Sequence, residues 1–105
     1  MKTSELKGAQ LDWVVAKCEG IALEPHRGGW AYAAYSTDWA QGGPIIEREG
    51  LNLNYTTMIQ SAWSATSMND LQEFGEYGPT PLIAAMRCYV ASMLGNEIDI
   101  PKELT

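Results

Sequence analysis

The sequence has few of the residues on which the commonest functional sites depend. It contains one histidine and two cysteines in 105 residues, so a histidine-rich metal site is excluded. No Cys-x-x-Cys spacing is present, and Gly28-Gly29 and Gly42-Gly43 are isolated pairs rather than a Walker A or Rossmann fingerprint. We therefore predict no metal and no cofactor.

Cationic residues are also scarce. Seven lysines and arginines stand against 13 aspartates and glutamates, which gives a net charge of −6. Affinity for duplex DNA, RNA or an anionic membrane depends on clustered Lys and Arg, so this balance argues against all three partners. The least polar stretch, 82–94, is interrupted by Arg87 and is too short to span a bilayer. Residues 1–7 contain no apolar run, so we expect no signal peptide.

The two cysteines lie in segments that are predicted to be helical. Because a secreted domain of this size often carries several disulfides, Cys18 and Cys88 are interpreted as reduced packing residues. One bridge between the two helices stays open as an alternative, since geometry rather than sequence decides it.

The residues that are present predict one α+β domain over residues 1–105. Hydrophobic residues make up 46% of the chain, so a packed core is expected. An N-terminal helix is predicted over 9–19, where one apolar stripe recurs at helical spacing, Asp12 lies off the stripe and Gly20 follows. The stripe consists of Leu11, Val14, Val15 and Cys18.

A long C-terminal helix is the clearest predicted element. Thr80 has the side chain of an N-cap, Pro81 suits the first helical position, and Gly95 ends the pattern. The acidic tail that follows is expected to pack through Ile98 and Ile100 if it packs at all.

Between the two helices, the pattern predicts a short, mainly antiparallel sheet of about three to four strands. The predicted strands are 21–24, 30–35, 51–54 and 57–66. Residues 25–29 are expected to form a hairpin turn, and the acidic stretch 67–77 is interpreted as a loop. Pro44 is predicted to lie in the first turn of a short helix that ends near Glu49.

Ser36, Thr37, Asp38 and Trp39 form the first candidate site. They place two hydroxyls, a carboxylate and an indole side by side, and the indole could stack on a ring while the polar groups orient it. The simpler interpretation is a helix N-cap next to a tryptophan that covers the core. Asp38 and Glu47 could instead converge as a carboxylate pair for hydrolysis.

Two further features suit an anion. His26 and Arg27 precede two glycines, whose backbone N–H groups can approach a phosphate, although an ordinary hairpin turn explains them as well. Thr80 stands at a helix N-terminus, where free N–H groups and the helix dipole favour negative charge, although most such termini only cap themselves.

Several runs of the sequence resemble a family of small phage and prophage proteins, the NinX-like family. The runs are 1–6, 36–47 (STDWAQGGPIIE) and 78–87 (GPTPLIAAMR), together with parts of 11–20. The resemblance implies a phage origin, a location in the host cytoplasm and a three-layer α-β-α sandwich. It implies no catalytic residue, and it offers no counterpart for residues 51–74.

The residues and the resemblance together favour a non-enzymatic phage protein that sequesters a small nucleotide-derived host signalling molecule. Trp39 would stack on the ring, and Arg27 and Thr80 would hold a phosphate. We expect a homo-oligomer, because small domains often build a pocket between subunits.

The alternative is a protein–protein inhibitor or adaptor that acts through the acidic surface and exposed aromatic residues. A small hydrolase that uses Asp38 and Glu47 is the third hypothesis.

Overall fold

The computed structural model describes residues 1–21, 25–26, 29–30, 34–56, 62–69 and 72–101. Its helices are α1 (Gly8–Cys18), α2 (Trp39–Glu49) and α3 (Pro81–Leu94), and a short 3-10 turn at Thr3–Glu5 precedes them. Its strands are β1 (Pro25–His26), β2 (Gly29–Trp30), β3 (Asn52–Thr56), β4 (Ala62–Asn69) and β5 (Gln72–Gly78).

Helix α3 is the centre of the packing. It lies against β4 and β5 of the sheet and also contacts α1 and α2. Its buried side chains include Leu82, Met86 and Val90, which join residues of α1 and β4 in one core. The structure thus confirms the predicted α/β sandwich with an N-terminal helix, an antiparallel sheet and a long C-terminal helix.

The main sheet is antiparallel in the order β3-β4-β5. Ala65 is fully buried at its centre, where it pairs with Leu53 on one side and Glu76 on the other. Side chains alternate between the two faces, so Ser64 and its partner Tyr77 lie on the opposite, outer face. The outer face is polar, which is typical of an antiparallel sheet with one solvated side.

The predicted loop at 67–77 is wrong, because β4 continues to Asn69 and β5 occupies Gln72–Gly78. These strands pair along their length from Trp63↔Gly78 to Asn69↔Gln72. Polar residues in this stretch do not prevent a strand, since every second position lies on the outer face. Ala65 was placed correctly in a strand, and positions 57–61 of that predicted strand lie outside the described residues.

Helix α2 begins earlier than the sequence predicts. It starts at Trp39 with Asp38 as N-cap, so Gly42 and Gly43 do not interrupt it and Pro44 lies inside it. Pro44 is exposed, so the carbonyl that loses an intrahelical donor can be hydrated. Local sequence favoured a helix that begins at proline, but packing of the preceding turn extends the helix toward its N-terminus.

The close approach at Gly42 is the packing contact that explains this extension. A Cβ atom built on Gly42 would clash with the carbonyl oxygen of Tyr35 and would lie 2.7 Å from Cδ1 of Leu82. The second turn of α2 therefore fits against α3 and against its own preceding turn only because this residue has no side chain.

Both terminal predictions are confirmed. Helix α1 ends at Cys18 and α3 runs from Pro81 to Leu94, each within one residue of the predicted bounds. Ile98 is buried, Ile100 packs against the core, and Lys2 pairs with Glu97 in an isolated bridge. Cys18 and Cys88 form no disulfide, and burial raises the pKa of each to about 11.

The N-terminal hairpin is shifted from its prediction. Pro25 and His26 belong to β1 rather than to the turn, and they pair with Trp30 and Gly29 in β2. Positions 22–24, 27–28 and 31–33, on which the rest of that prediction depends, lie outside the described residues.

Candidate functional site

A cleft of about 220 Å³ lies where the N-termini of α2 and α3 meet. Its lining side chains combine hydroxyls, an indole and aliphatic groups. They are Ser36, Thr37, Trp39, Thr80, Leu82 and Ile83. Four of the seven predicted site residues are therefore brought together in one place, although 41 residues separate Trp39 from Thr80 in the sequence.

The turn before α2 forms one wall of the cleft and is held from two sides. The backbone N–H groups of Thr37 and Asp38 both donate to the carbonyl of Ala34, at 3.3 and 2.9 Å. The N–H of Ser36 donates to Oδ1 of Asp12 on α1 at 2.7 Å. These bonds fix the direction in which the chain enters α2.

Asp12 is a buried carboxyl group in an otherwise apolar helix face. Burial raises its pKa above the ordinary value of 3.8, and the hydroxyl and N–H of Ser36 lower that pKa in part. The sequence placed Asp12 off the apolar stripe without a role. The structure shows that it accepts a hydrogen bond from the backbone N–H of Ser36.

The Ser36 hydroxyl is a buried polar group of the cleft wall. Ser36 is 2% exposed, and its Oγ makes no hydrogen bond of acceptable geometry with a described residue. The hydroxyl nevertheless interacts with the Asp12 carboxyl, whose pKa it lowers.

At the N-terminus of α2, Asp38 and Trp39 have separate roles. Oδ1 of Asp38 accepts from the N–H of Ala40 at 2.9 Å, which agrees with the simpler interpretation of this segment as a helix N-cap. Trp39 lines the cleft with an indole that is 52% exposed. Asp38 itself is not among the residues that line the cleft.

The N-terminus of α3 forms the opposite wall. Oγ1 of Thr80 accepts from the N–H of Ile83 at 3.1 Å, and the carbonyl of Thr80 accepts from Ala84 at 3.0 Å. Pro81 has no N–H, and the N–H of Leu82 belongs to the first turn, where the helix supplies no acceptor. This end of α3 packs closely against β5 at Gly78. A Cβ atom added to Gly78 would lie only 2.6 Å from the backbone nitrogen of Ala84.

Leu82 and Ile83 are the lining residues that the sequence did not single out. They follow Pro81 as the first apolar residues of α3, and Ile83 is only partly buried. An apolar pair immediately after an N-cap is a weak signal, because most such pairs belong entirely to the core. Here they supply the aliphatic floor between the two helix ends.

The predictions for Arg27 and for the His26 side chain lie outside what the structure describes, although the backbone of His26 belongs to β1. Asp38 and Glu47 do not converge, because α2 continues unbroken between them. Nine helical positions correspond to roughly 13 Å along the axis, beyond the separation of carboxylates that share a hydrolytic reaction.

The described residues that line the cleft are uncharged, and Arg48 and Arg87 make their hydrogen bonds elsewhere. Arg48 donates to Glu19 at 2.7 and 3.0 Å and to Glu49 at 2.9 Å. Arg87 donates to the carbonyls of Leu6 and Tyr77 at 2.7 and 2.8 Å. Attraction for an anion in the cleft would therefore come from helix dipoles, N–H groups and hydroxyls.

The described residues contain no group of three or more His, Cys, Asp and Glu side chains that could hold a metal ion. None of the helices in this part of the chain has both the length and the apolar character needed to cross a membrane.

The comparison with protein families assigns the chain. The model of a family described as Bacteriophage P22, NinX matches residues 2–93. The chain belongs to the NinX family. The matched range includes all of the cleft residues and also runs through 51–74, the segment for which the sequence resemblance had offered no counterpart. No curated protein matches the chain.

Proposed function

We propose that this NinX family protein is a non-enzymatic binding protein that sequesters a small nucleotide-derived signalling molecule of the host. The observation that carries the proposal is that Ser36, Thr37, Trp39 and Thr80 line one cleft at two helix N-termini. A phage would use such a protein in the host cytoplasm to remove a defence signal.

The chemistry of the cleft suits a flat ring with polar substituents. The half-exposed indole of Trp39 gives a ring a surface for stacking. The hydroxyls of Thr37 and Thr80 can donate or accept hydrogen bonds at the edge of that ring. An acidic protein can bind one such molecule, because a few placed donors suffice where a nucleic-acid backbone would require many cations.

The size of the cleft favours a second copy of the chain as part of the site. At about 220 Å³ the cleft is smaller than pockets that enclose a drug-sized ligand, which measure roughly 300–1,000 Å³. We therefore propose a homo-oligomer in which a neighbouring protomer covers the ligand. Light scattering after size-exclusion chromatography tests this point, and a monomer with and without ligand would contradict it.

Isothermal titration tests the binding function. The probes are the ribonucleoside 5′-monophosphates, cyclic dinucleotides and ADP-ribose, and we expect at least one Kd below about 100 μM, or roughly −5.5 kcal/mol. Trp39→Ala should weaken that binding about tenfold, because stacking on an aromatic side chain contributes about 1–3 kcal/mol.

Tyr77→Ala is the matched control for Trp39→Ala. Tyr77 is 50% exposed on the outer face of the sheet and is not a lining residue of the cleft, so its removal should leave the Kd unchanged. Bound ligand should be recovered unaltered by mass spectrometry. Absence of binding by every probe would overturn the proposed function.

A protein–protein inhibitor or adaptor is the second candidate function. It is favoured by exposed aromatic residues away from the cleft, because Tyr55 and Tyr77 are 52% and 50% exposed. A pull-down from host lysate separates the two functions. A stoichiometric protein partner that is lost in Tyr77→Ala but retained in Trp39→Ala would favour the adaptor.

A further inference from the structure

We infer that the protein forms a symmetric dimer in which β3 pairs antiparallel with β3 of a second copy of the chain, centred on Asn54. The two three-stranded sheets would then become one continuous sheet. This inference rests on the homo-oligomer of the proposed function and specifies its interface, and it requires nothing of the ligand.

Strand β3 lies at one edge of the sheet. It pairs with β4 on one side, and no strand in the described part of the chain pairs with its other side. The pairing with β4 runs without a bulge from Asn52↔Thr66 to Thr56↔Ala62. A straight edge of this kind presents backbone N–H and C=O groups in the arrangement that a further strand needs.

The side chains of β3 do not oppose the addition of a strand. Proteins commonly protect an edge strand with a lysine, a proline, an inward-pointing charge or a bulge. The β3 sequence, NLNYT, contains no proline and no charged residue. Asn54 and Tyr55 are both exposed, and 52% of the Tyr55 surface is accessible although its aromatic ring is largely apolar. This edge therefore fits a partner strand better than it fits solvent.

Charge favours a second copy of the chain at β3 over a second copy at β5, the opposite edge. Each chain has a net charge of −6, so contact between two copies is least unfavourable where both surfaces are uncharged. Strand β5 contains Glu73 and Glu76, and pairing of two β5 strands would bring these like charges into the interface. Of the two sheet edges, only β3 lets two copies meet without a charged side chain on the pairing strand.

The β3 sequence is also complementary to itself. In an antiparallel pair centred on Asn54, the two Asn54 residues face each other, and Leu53 of each chain faces Tyr55 of the other on the same side of the sheet. Leu53 packs against the core, and the Tyr55 ring contacts Trp63 at a centroid distance of 5.2 Å. In the dimer, Tyr55 would lie between Trp63 of its own chain and Leu53 of the partner. Aromatic and aliphatic cross-strand pairs of this kind stabilise antiparallel sheets.

The test changes the charge at Asn54, the residue on the proposed two-fold axis. Asn54→Lys and Asn54→Asp each place like charges opposite each other, so the dissociation constant of either dimer should rise at least about tenfold. An equimolar mixture of the two variants places opposite charges across the axis and should restore the dimer. Sedimentation velocity over a range of concentrations measures these constants, and the unmodified protein should sediment with twice the 11.5 kDa mass of one chain.

Tyr77→Lys is the matched control for Asn54→Lys. It adds the same charge at a position that is 50% exposed on β5, the other edge strand, so it should leave the dimer unchanged. Because Asn54 is exposed, its variants should stay folded, which circular dichroism checks.

The outcomes separate this inference from the binding function. A dimer that neither Asn54 variant weakens, or that the mixture does not restore, would overturn the β3 interface and leave the homo-oligomer intact. A monomeric unmodified protein would overturn both the interface and the homo-oligomer. Titration of the same samples with the nucleotide probes decides ligand binding separately, because Asn54 is not a lining residue of the cleft.

Discussion

The backbone N–H of Ser36 donates a hydrogen bond to the Asp12 carboxylate at 2.7 Å, and both residues are buried. The bond joins α1 to the turn that begins α2, across 24 residues of sequence. Ser36 also lines the cleft, whereas Asp12 is not among the described lining residues. Asp12 therefore fixes the position of one wall from outside the cleft. Stability and binding should therefore respond differently to changes at these two positions.

The buried Asp12 carboxyl makes stability depend on pH. Burial raises its pKa in the folded protein above the ordinary value of 3.8, so the folded state binds more protons between the two pKa values. The free energy of unfolding should then fall as the pH rises through that interval. Asp12→Asn keeps an acceptor for the Ser36 N–H but lacks the charge, so its stability relative to the unmodified protein should increase with pH.

Urea denaturation of both proteins between pH 3 and pH 7, at roughly one-unit steps, measures this difference. Asp12→Ala is the control, because it removes the acceptor as well as the charge. It should be destabilised by about 1–3 kcal/mol throughout, the effect of leaving a buried N–H without a partner. A difference between Asp12→Asn and the unmodified protein that does not vary with pH would contradict the prediction.

Ser36→Ala should change the free energy of unfolding of the free protein by less than about 1 kcal/mol, because the hydroxyl makes no hydrogen bond of acceptable geometry and its remaining effect is to lower the pKa of the Asp12 carboxyl. Thr37→Ala, at the exposed neighbouring residue, should change the free energy by less than about 0.5 kcal/mol.

Calorimetry of the three proteins without ligand gives the answer. A loss of more than about 1 kcal/mol in Ser36→Ala would show that the hydroxyl makes a stabilising bond in the free protein.

Gly42 and Gly43 form a matched pair in one helix. A Cβ on Gly42 would lie 2.7 Å from Cδ1 of Leu82 and would clash with the Tyr35 carbonyl, whereas a Cβ on Gly43 meets only Cε3 of Trp39 at 3.9 Å. Gly42→Ala should therefore destabilise the protein by about 1–3 kcal/mol despite the better helix propensity of alanine. Gly43→Ala should change stability by less than about 1 kcal/mol. The added methyl group causes no clash, and the gain in helix propensity is limited because Pro44 disfavours the helical conformation of a residue with a Cβ directly before it.

Denaturant titration of the two variants tests the predicted fit of α2 against α3. Equal stabilities would mean that the two helices do not approach closely at Gly42. Because Leu82 also lines the cleft, Gly42→Ala should in addition lower the affinity for any ligand whose binding is weakened by Trp39→Ala.

Local signals in the sequence predicted the capped start of α3, and they also singled out four residues of the cleft. Asp38, Thr80 and Pro81 act within one turn of their own positions, so their roles could be inferred without the fold. Their meeting at one cleft could not be inferred, because it depends on how α2 packs against α3.

Contacts between distant segments explain the predictions that failed. Strand β5 is polar in sequence and is held by pairing with β4 and by Arg87, which donates to the carbonyl of Tyr77. Pro44 was predicted to lie in the first turn of its helix. The close fit of Gly42 against Leu82 instead allows the helix to begin earlier, at Trp39. Asp12 was left without a role because its partner, Ser36, is 24 residues away.

A second carboxylate, Glu19, should give the opposite pH dependence to Asp12. Arg48 donates to Glu19 at 2.7 and 3.0 Å and the Tyr89 hydroxyl donates at 2.6 Å, which joins the C-terminal ends of α1 and α2 to α3. The hydrogen bonds from Arg48 are the main reason that the pKa of Glu19 lies below its ordinary value of 4.5. The stabilisation should be complete above pH 4.5 and should disappear as the pH falls through the lowered pKa.

Glu19→Gln isolates this contribution. Because the Arg48 side chain is 50% exposed and the pair is screened by solvent, we expect a loss of about 1 kcal/mol at pH 7. The loss should shrink toward zero in acid, where the unmodified protein has lost the same charge. Glu47→Gln, an exposed change on α2, is the control and should have little effect at either pH. If Glu19→Gln lowers the free energy of unfolding as much in acid as at neutral pH, packing and not the charge of Glu19 holds the three helices together at this point.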